Sequence, residues 1–269
     1  MPAYTLDPAD TVIAPDGAAL YRIRYADGTF GGYLQSTANL DPTSDARVSD
    51  NARVLGDARV SGNAWVYGNA WVSGNAWVYG NARVSGNARV SGNARVLGDA
   101  GVYGNARVYG NAWVYGNARV LGDAQVYGDA RVYGDAWVSG NARVYGNAWV
   151  YGDAWVYGNA RVSGNARVSG NARVYGDAWV YGNARVSGNA WVSEPQHCLT
   201  IGPLGSRAAI LTVCRDSTLS VSYSTGCFFG SRDAFLAAVE ATHGNSSFGN
   251  AYAAAVMLAD HIVPPYMPE

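Results

Sequence analysis

The 269-residue chain contains no lysine, and its 19 arginines are balanced by 20 acidic residues, so that the formal net charge is −1. Such a balance gives no bulk attraction to nucleic acid or to an acidic membrane, and neither is a favoured partner. No apolar run approaches the roughly 18 residues that a membrane-spanning helix needs. The first stretch, MPAYTLDPADTVIAPDG, lacks the basic and apolar regions of a signal peptide. We therefore expect a cytoplasmic or virion-associated protein that does not enter membranes.

Cysteine and histidine are scarce, with three of each in the chain. An odd cysteine count without short-range spacing argues against a disulfide framework. The six residues also lack the paired spacing that metal ligands show, so we expect neither a metal nor another cofactor. All of them lie in the last part of the sequence, at Cys198, Cys214, Cys227, His197, His243 and His261.

A six-residue phrase, Gly-Asn/Asp-Ala-x-Val-z, fills the middle of the chain. A valine recurs every sixth residue from Val48 to Val192, 25 times in all, and an alanine precedes each by two positions. The order Ala-x-Val-z has the two-residue period of a strand, with Ala and Val on one face and x and z on the other. Gly-Asn and Gly-Asp suit tight corners, because these residues tolerate positive φ. The pattern predicts a parallel β-solenoid.

The phrase resembles the hexapeptide pattern of the left-handed parallel β-helix family, in which a branched aliphatic residue is followed by glycine and then by a small residue. Val78, Gly80 and Ala82 are one example, and the resemblance covers residues 45–193. It implies a triangular prism with three phrases per coil and a left-handed turn. We predict a mainly β protein with a capping segment at 1–44, the β-helix at 45–193 and a small α+β unit at 194–269.

The positions x and z are expected to face solvent, and they carry nearly all the variation. Position x holds fourteen Arg, all nine Trp, one Gly and one Gln, whereas z holds twelve Tyr, ten Ser and three Leu. With three phrases per coil, Arg and Trp mix in each of three columns. One interpretation is structural, in which the columns are stacking ladders with cation–π contacts. The other is functional, in which exposed aromatic arrays bind a partner or another copy of the chain.

The aromatic residues that we single out as candidate ligand-binding residues are Trp65, Trp71, Trp77, Trp113, Trp137, Trp149, Trp155, Trp179, Tyr109, Tyr115, Tyr133 and Tyr151. Aromatic platforms beside arginine suit a sugar or a nucleobase. An ice-binding array is excluded, because no threonine occurs between Ala46 and Ser193. β-Helix acyltransferases, which the hexapeptides resemble, rely on a histidine of the prism, and no histidine lies within these repeats.

The two ends do not repeat. Near the N-terminus, Leu20 to Tyr25 alternate and a turn follows at Asp27-Gly28, which predicts a short hairpin that covers the open edge of the first coil through Gly31-Gly32. In the C-terminal part we predict two strands around a turn at Arg215 to Ser217. A first helix is predicted to begin after Ser231 and to end at Gly244, with Phe235, Ala238, Val239 and Thr242 on its buried face. A second helix is predicted over 248–262.

Outside the repeats, the runs GSR at 205–207, TGCFFG at 225–230 and THG at 242–244 resemble a family of phage and prophage hexapeptide-repeat proteins. The resemblance covers almost the whole chain and implies a phage setting and this order of domains. It implies no activity.

Three residues of these runs are candidates for chemistry. Cys227 and His243 would suit a thiolate–imidazole pair, and Arg207 would suit an anion. The alternative is a buried cysteine and a histidine that the helix dipole favours at a helix end.

The sequence thus favours a non-enzymatic, phage-related interaction protein that forms homo-oligomers or binds a phage or host protein. A binder of a sugar or nucleotide is the first alternative, and an enzyme centred on Cys227 and His243 is the second. We name no catalytic residue.

Overall fold

The computed structural model describes residues 4–266. They fall into two compact units, with the division between Asn141 and Ala142. The first unit opens with three antiparallel strands, β1 (Tyr4–Ile13), β2 (Ala19–Tyr25) and β3 (Phe30–Leu34), and a 3₁₀ turn at Thr37–Asn39. The hairpin of β2 and β3 is the predicted one, whereas β1 is an additional strand.

The alternation expected along β2 is confirmed. Ile23 and Tyr25 are buried on one face, with the exposed Arg24 between them, whereas Leu20 is buried on the opposite face in a cluster with Ala14, Tyr33 and Leu55. The pairing with β3 shifts between Arg22 and Arg24, where β3 has one residue more than β2, so the bulge lies on β3 and leaves the period of β2 intact.

The N-terminal segment covers the edge of the first coil, as predicted. Strand β3 pairs in parallel with the strand at Arg53–Val54, with Tyr33 opposite Arg53. The Tyr25 hydroxyl donates to the carbonyl oxygen of Val48 (3.0 Å) and accepts from its N–H (2.9 Å). Backbone groups that would be unpaired at a bare edge therefore have partners.

Two-residue strands then follow one another every six residues. In the first unit they are β4 (Arg47–Val48), β5 (Arg53–Val54), β6 (Arg59–Val60), β7 (Trp65–Val66), β8 (Trp71–Val72), β9 (Trp77–Val78), β10 (Arg83–Val84), β11 (Arg89–Val90), β12 (Arg95–Val96), β13 (Gly101–Val102), β14 (Arg107–Val108), β15 (Trp113–Val114), β16 (Arg119–Val120), β17 (Gln125–Val126), β18 (Arg131–Val132) and β19 (Trp137–Val138). In the second unit they are β20 (Arg143–Val144), β21 (Trp149–Val150), β22 (Trp155–Val156), β23 (Arg161–Val162), β24 (Arg167–Val168), β25 (Arg173–Val174), β26 (Trp179–Val180), β27 (Arg185–Val186) and β28 (Trp191–Val192).

The predicted parallel β-solenoid is confirmed. Within each unit, strands pair in parallel with the strands three phrases further on, as β10 does with β13 and β22 with β25. The repeat valines and alanines from Val48 to Val192 form the interior and are at most 2% exposed. Glycines make the corners in the left-handed region of the backbone, with φ of 74° at Gly80. The interior is therefore built from two small apolar residue types, and all the variation is placed outside.

The second unit continues after a 3₁₀ turn at Pro195–His197 with an antiparallel sheet of four strands in sequence order, β29 (Cys198–Leu204), β30 (Ala209–Asp216), β31 (Ser220–Thr225) and β32 (Phe228–Gly230). Two helices follow, α1 (Arg232–His243) and α2 (Ser247–Ile262). The predicted α+β unit is present, but Arg215 and Asp216 lie within β30, and the turn comes after them.

Both predicted helices are confirmed. The Ser231 hydroxyl accepts the N–H of Ala234 at the start of α1, and Gly244 ends the helix with φ of 49°. The buried face of α1 is narrower than expected, because Phe235 and Val239 are buried whereas Thr242 is exposed. The core of this unit is formed by Leu211, Val213, Tyr223, Phe235, Val239, Tyr252, Ala255, Val256, Ala259 and Val263.

The expectation against disulfides is wrong for two of the three cysteines. Cys198 of β29 lies directly opposite Cys214 of β30, and the two form a disulfide. Cys227 is free and exposed. The pairing arises from the register of two strands, which spacing along the chain does not reveal.

The C-terminal sheet packs on the last coils of the second unit. The backbone N–H of Arg185 donates to the Thr212 hydroxyl (3.0 Å), and the Arg185 guanidinium donates to the carbonyl oxygen of Gly226 (2.8 Å). Within residues 4–266, no helix has the length and apolar character required to cross a membrane.

Candidate functional site

The outward arginines and tryptophans stack along the solenoid, and in one stretch they alternate from coil to coil. In the first unit, one column runs Arg59, Trp77, Arg95, Trp113, Arg131. The Arg95 guanidinium carbon lies 5.4 Å from the ring centroid of Trp77 and 4.8 Å from that of Trp113. Each successive pair is thus within cation–π distance. The stacking-ladder interpretation is confirmed for this column.

The other columns show the same contacts. Trp71 has Arg53 at 5.1 Å on one side and Arg89 at 5.9 Å on the other. In the second unit, Arg173 lies between Trp155 (5.2 Å) and Trp191 (5.5 Å). Of the other tryptophans that were predicted to bind a ligand, Trp137 contacts Arg119 and Trp149 contacts Arg167. Trp179 contacts Arg161, and Trp65 contacts Tyr67.

The tyrosines stack on one another. Tyr109 lies 4.8 Å from Tyr127 with nearly parallel rings, and Tyr115 has the same separation from Tyr133. Tyr151 is half-buried. Much of the aromatic surface that the sequence suggests for ligands is therefore occupied by contacts within the chain.

One cavity of about 410 Å³ adjoins an exposed pair of aromatic rings in the first unit. It is lined by Ala38, Asp41, Arg59, Val60, Ser61, Trp77 and Tyr79. Trp77 is 41% exposed and meets Tyr79 edge-to-face at 6.4 Å. Strand β6 (Arg59–Val60) is the first strand of its sheet along the chain, so the cavity lies at the N-terminal edge of that sheet.

A second cavity, of about 350 Å³, lies in the C-terminal sheet and helices. It brings together Arg207, Cys227 and His243, the three residues that the sequence singles out for chemistry, and its walls are Ser206, Ala209, Thr225, Gly226, Phe228, Phe235, Ala238, Val239, Thr242 and Tyr252. The His243 ring is held by stacking on Tyr252, with 5.6 Å between centroids, and by an edge contact with Phe248.

An ion pair joins the two helices of this unit. Arg232 of α1 donates to both carboxylate oxygens of Asp260 on α2, at 2.8–3.0 Å. The hydrogen bond from Arg232 lowers the pKa of Asp260, and burial raises the pKa of Tyr223, which donates to the same carboxylate, to about 12. The pair fixes the helices that carry His243 and Tyr252.

A buried polar group that the sequence did not indicate lies under the last coil. His197 is 5% exposed, its Nδ1 lies 3.0 Å from the Ser193 hydroxyl, and Arg215 approaches its Nε2 at 3.1 Å. Burial, followed by the charge of Arg215, lowers the pKa of His197. The adjacent Asp216 is fully buried and accepts two backbone N–H groups. We assign both residues to the packing of the sheet on the solenoid.

Among residues 4–266, no three His, Cys, Asp or Glu side chains are grouped in a way that could hold a metal ion. Neither cavity therefore offers a metal centre from the described side chains.

The repeats match a known family. Residues 46–116 and 124–194, more than half of the chain, match twelve overlapping copies of the YdcK β-solenoid repeat. Among solved structures, the chain is similar to a UDP-N-acetylglucosamine acyltransferase of Francisella novicida, with 15% identity and a TM-score of 0.33 over 66% of this chain and 71% of that one. A likeness of this size carries no argument about activity. No curated protein matches the sequence.

Proposed function

We propose that this chain, which belongs to the YdcK β-solenoid repeat family, is a non-enzymatic interaction protein. In this proposal the solenoid is a rigid scaffold, because the described Arg, Trp and Tyr side chains largely contact one another along it. The C-terminal unit then provides the surface that meets a partner.

The proposal rests on the apolar side chains that α2 exposes to solvent. Met257 is 64% exposed, Leu258 48% and Ile262 40%, while Tyr252 and Val256 on the other side are buried. A helix that is apolar all round normally has both sides covered. An exposed apolar face on a folded domain often marks a protein contact. We propose a second copy of this chain as the occupant, with a phage or host protein as the alternative.

The oligomeric state tests this proposal. We expect the protein to form a homo-oligomer, measured by native mass spectrometry, and the double variant Met257→Glu/Leu258→Glu to be monomeric. Asn250→Glu is the matched control, because it adds a carboxylate to the exposed first turn of the same helix, where the dipole favours it. A monomeric parent protein would overturn the homo-oligomer. Assembly unchanged in the double variant would overturn the role of α2.

The phage or prophage setting, cytoplasmic or virion-associated, is part of the proposal and is supported only by the resemblance of the terminal runs. Proteomic analysis of purified virions from a producing host tests it. Peptides of this chain at a constant ratio to a capsid protein would place it in the virion, and their absence would confine it to the cell.

A second candidate function is the binding of a sugar or a nucleotide at the cavity beside Trp77. Exposed aromatic rings next to Arg59 and Asp41 combine a stacking surface with charged hydrogen-bonding groups. Binding of the parent protein and of the Trp77→Ala variant to an array of glycans and nucleotides tests this function. Trp65→Ala is the control, because Trp65 is similarly exposed, at 44%, but does not line the cavity. Equal binding by the two variants would exclude the site.

An enzyme centred on Cys227 and His243 is the remaining alternative, and the shared cavity is what supports it. A Cys227→Ala variant that keeps every measured function would exclude it.

A further inference from the structure

We propose that the cavity of the C-terminal unit binds a small amphipathic molecule that carries one anionic group. Its apolar part would lie against Phe228, Phe235 and Val239, and its anionic group would be bound by Arg207. This proposal is independent of the partner surface on α2 and of any catalytic role for Cys227.

The inner wall of the cavity is apolar and closely packed. Phe235 is 2% exposed and packs against Phe228 (5.3 Å between centroids) and, edge-on, against Tyr252 (5.7 Å). Val239, one turn further along α1, is 8% exposed. The volume of about 350 Å³ is at the lower end of the range for small-molecule sites, which are mostly apolar with a few placed polar groups.

Two side chains that line the cavity, one exposed and one buried, have donors without partners. Arg207 is exposed, and its guanidinium makes no hydrogen bond or ion pair to any side chain of residues 4–266. The Oγ1 of Thr225 is buried and has no hydrogen-bond partner among the same residues. A buried polar atom left unpaired is uncommon and costs stability. An anionic oxygen would accept from both groups, and a guanidinium is the side chain best suited to a carboxylate or phosphate.

The turn that carries Arg207 packs closely against α2. The Tyr252 hydroxyl lies 3.5 Å from the carbonyl oxygen of Leu204, at the long limit of a hydrogen bond. A Cβ atom at Gly205 would lie 2.4 Å from that hydroxyl, so the turn approaches α2 at a position that only glycine permits. Ala208 closes the turn with φ of +48°, a conformation that is unfavourable for alanine. Such preorganisation reduces the entropy lost on binding.

Cys227 provides a direct readout, because it is the free cysteine and lines the cavity. The experiment measures the rate at which Ellman's reagent modifies Cys227 in the non-reduced full-length protein, with octanoate as the probe. We expect octanoate to slow the modification with a saturable dependence. Shortening the probe to hexanoate and then butyrate should weaken binding about fourfold per methylene lost.

Three comparisons decide the proposal. Arg207→Gln should raise the octanoate Kd at least about tenfold, the scale of a lost charged hydrogen bond, whereas Arg107→Gln on the solenoid should leave it unchanged. Ala238→Trp should fill the cavity and abolish protection, with folding checked by circular dichroism. Octanol should bind at least about tenfold more weakly than octanoate. The proposal fails if octanoate gives no saturable protection, if Arg207→Gln binds as the parent does, or if octanol matches octanoate.

Discussion

Asn81 donates a hydrogen bond from its Nδ2 to the Oδ1 of Asp99, 2.8 Å away and one coil further along the solenoid. The bond is one rung of a directional ladder at the corner of the prism, since Asn63 donates to Asn81 in the same way. Asparagine both donates and accepts, whereas an ionised aspartate only accepts. An aspartate therefore receives the bond from the coil before it but cannot pass one on.

This direction predicts the effect of Asn111→Asp. Asn111 accepts from Asn93 and donates to Asp129, so the substitution places two carboxylates opposite each other. We expect a loss of about 1–2 kcal/mol in the free energy of unfolding at pH 7. The like charge raises the pKa of one carboxyl, so the loss is present at pH 7 and diminishes as the pH falls through that raised pKa.

Asn183→Asp is the matched control for that substitution. Asn183 accepts from Asn165, and an aspartate there keeps the accepting role. Urea unfolding of both variants at pH 7 and pH 4 makes the comparison. An equal loss in the two variants would show that the ladder has no direction in its energetics.

The Arg–Trp ladder predicts that Arg95→Gln destabilises the first unit. Arg95 contacts Trp77 and Trp113, and two cation–π contacts near the surface contribute about 1–2 kcal/mol together. Arg83→Gln is the control, because Arg83 occupies the same repeat position with no tryptophan within cation–π distance in the first unit. Thermal unfolding followed by tryptophan fluorescence measures both variants. The ladder is not stabilising if both unfold at the same temperature.

His197 predicts a pH dependence in the second unit. Burial and Arg215 lower its pKa in the folded protein, so the folded state binds the proton less well than the unfolded state does. The contribution of a neutral His197 to the free energy of unfolding is therefore fully present above the unfolded pKa of about 6.5. It is lost as the pH falls from there through the folded pKa. We expect His197→Asn to flatten the curve of Tm against pH between about 5 and 7. His261→Asn, at an exposed histidine, should leave the curve unchanged.

The cysteine pairing predicts the result of alkylation. Denatured in iodoacetamide without a reductant, the chain should take up one carbamidomethyl group, at Cys227, because Cys198 and Cys214 form a disulfide. After reduction it should take up three. Intact-mass spectrometry counts the groups, and three before reduction would contradict the pairing.

Local patterns predicted the helix ends well and the burial of individual side chains less well. Ser231 and Gly244 bound α1 as expected, because capping depends on neighbouring backbone groups. Thr242 is exposed, although the helical period places it on the face of Phe235 and Val239, because it lies at the rim of a cavity. The alternation along β2 was predicted correctly, whereas the bulge on β3 and the burial of Leu20 on the second face depend on neighbouring segments that the local pattern does not show.

The sequence by itself determined the solenoid. A period of six with Ala and Val inside predicts the solenoid and its core. The three-phrase coil that the resemblance implies makes each residue the neighbour of the one 18 positions later, from which the ladders and the corners follow. The tertiary structure decided the rest. The register of two strands places Cys198 opposite Cys214. The packing of a turn, a sheet and two helices places three residues in one cavity, Arg207, Cys227 and His243. These contacts join segments with no repeating relation, so no period in the sequence encodes them.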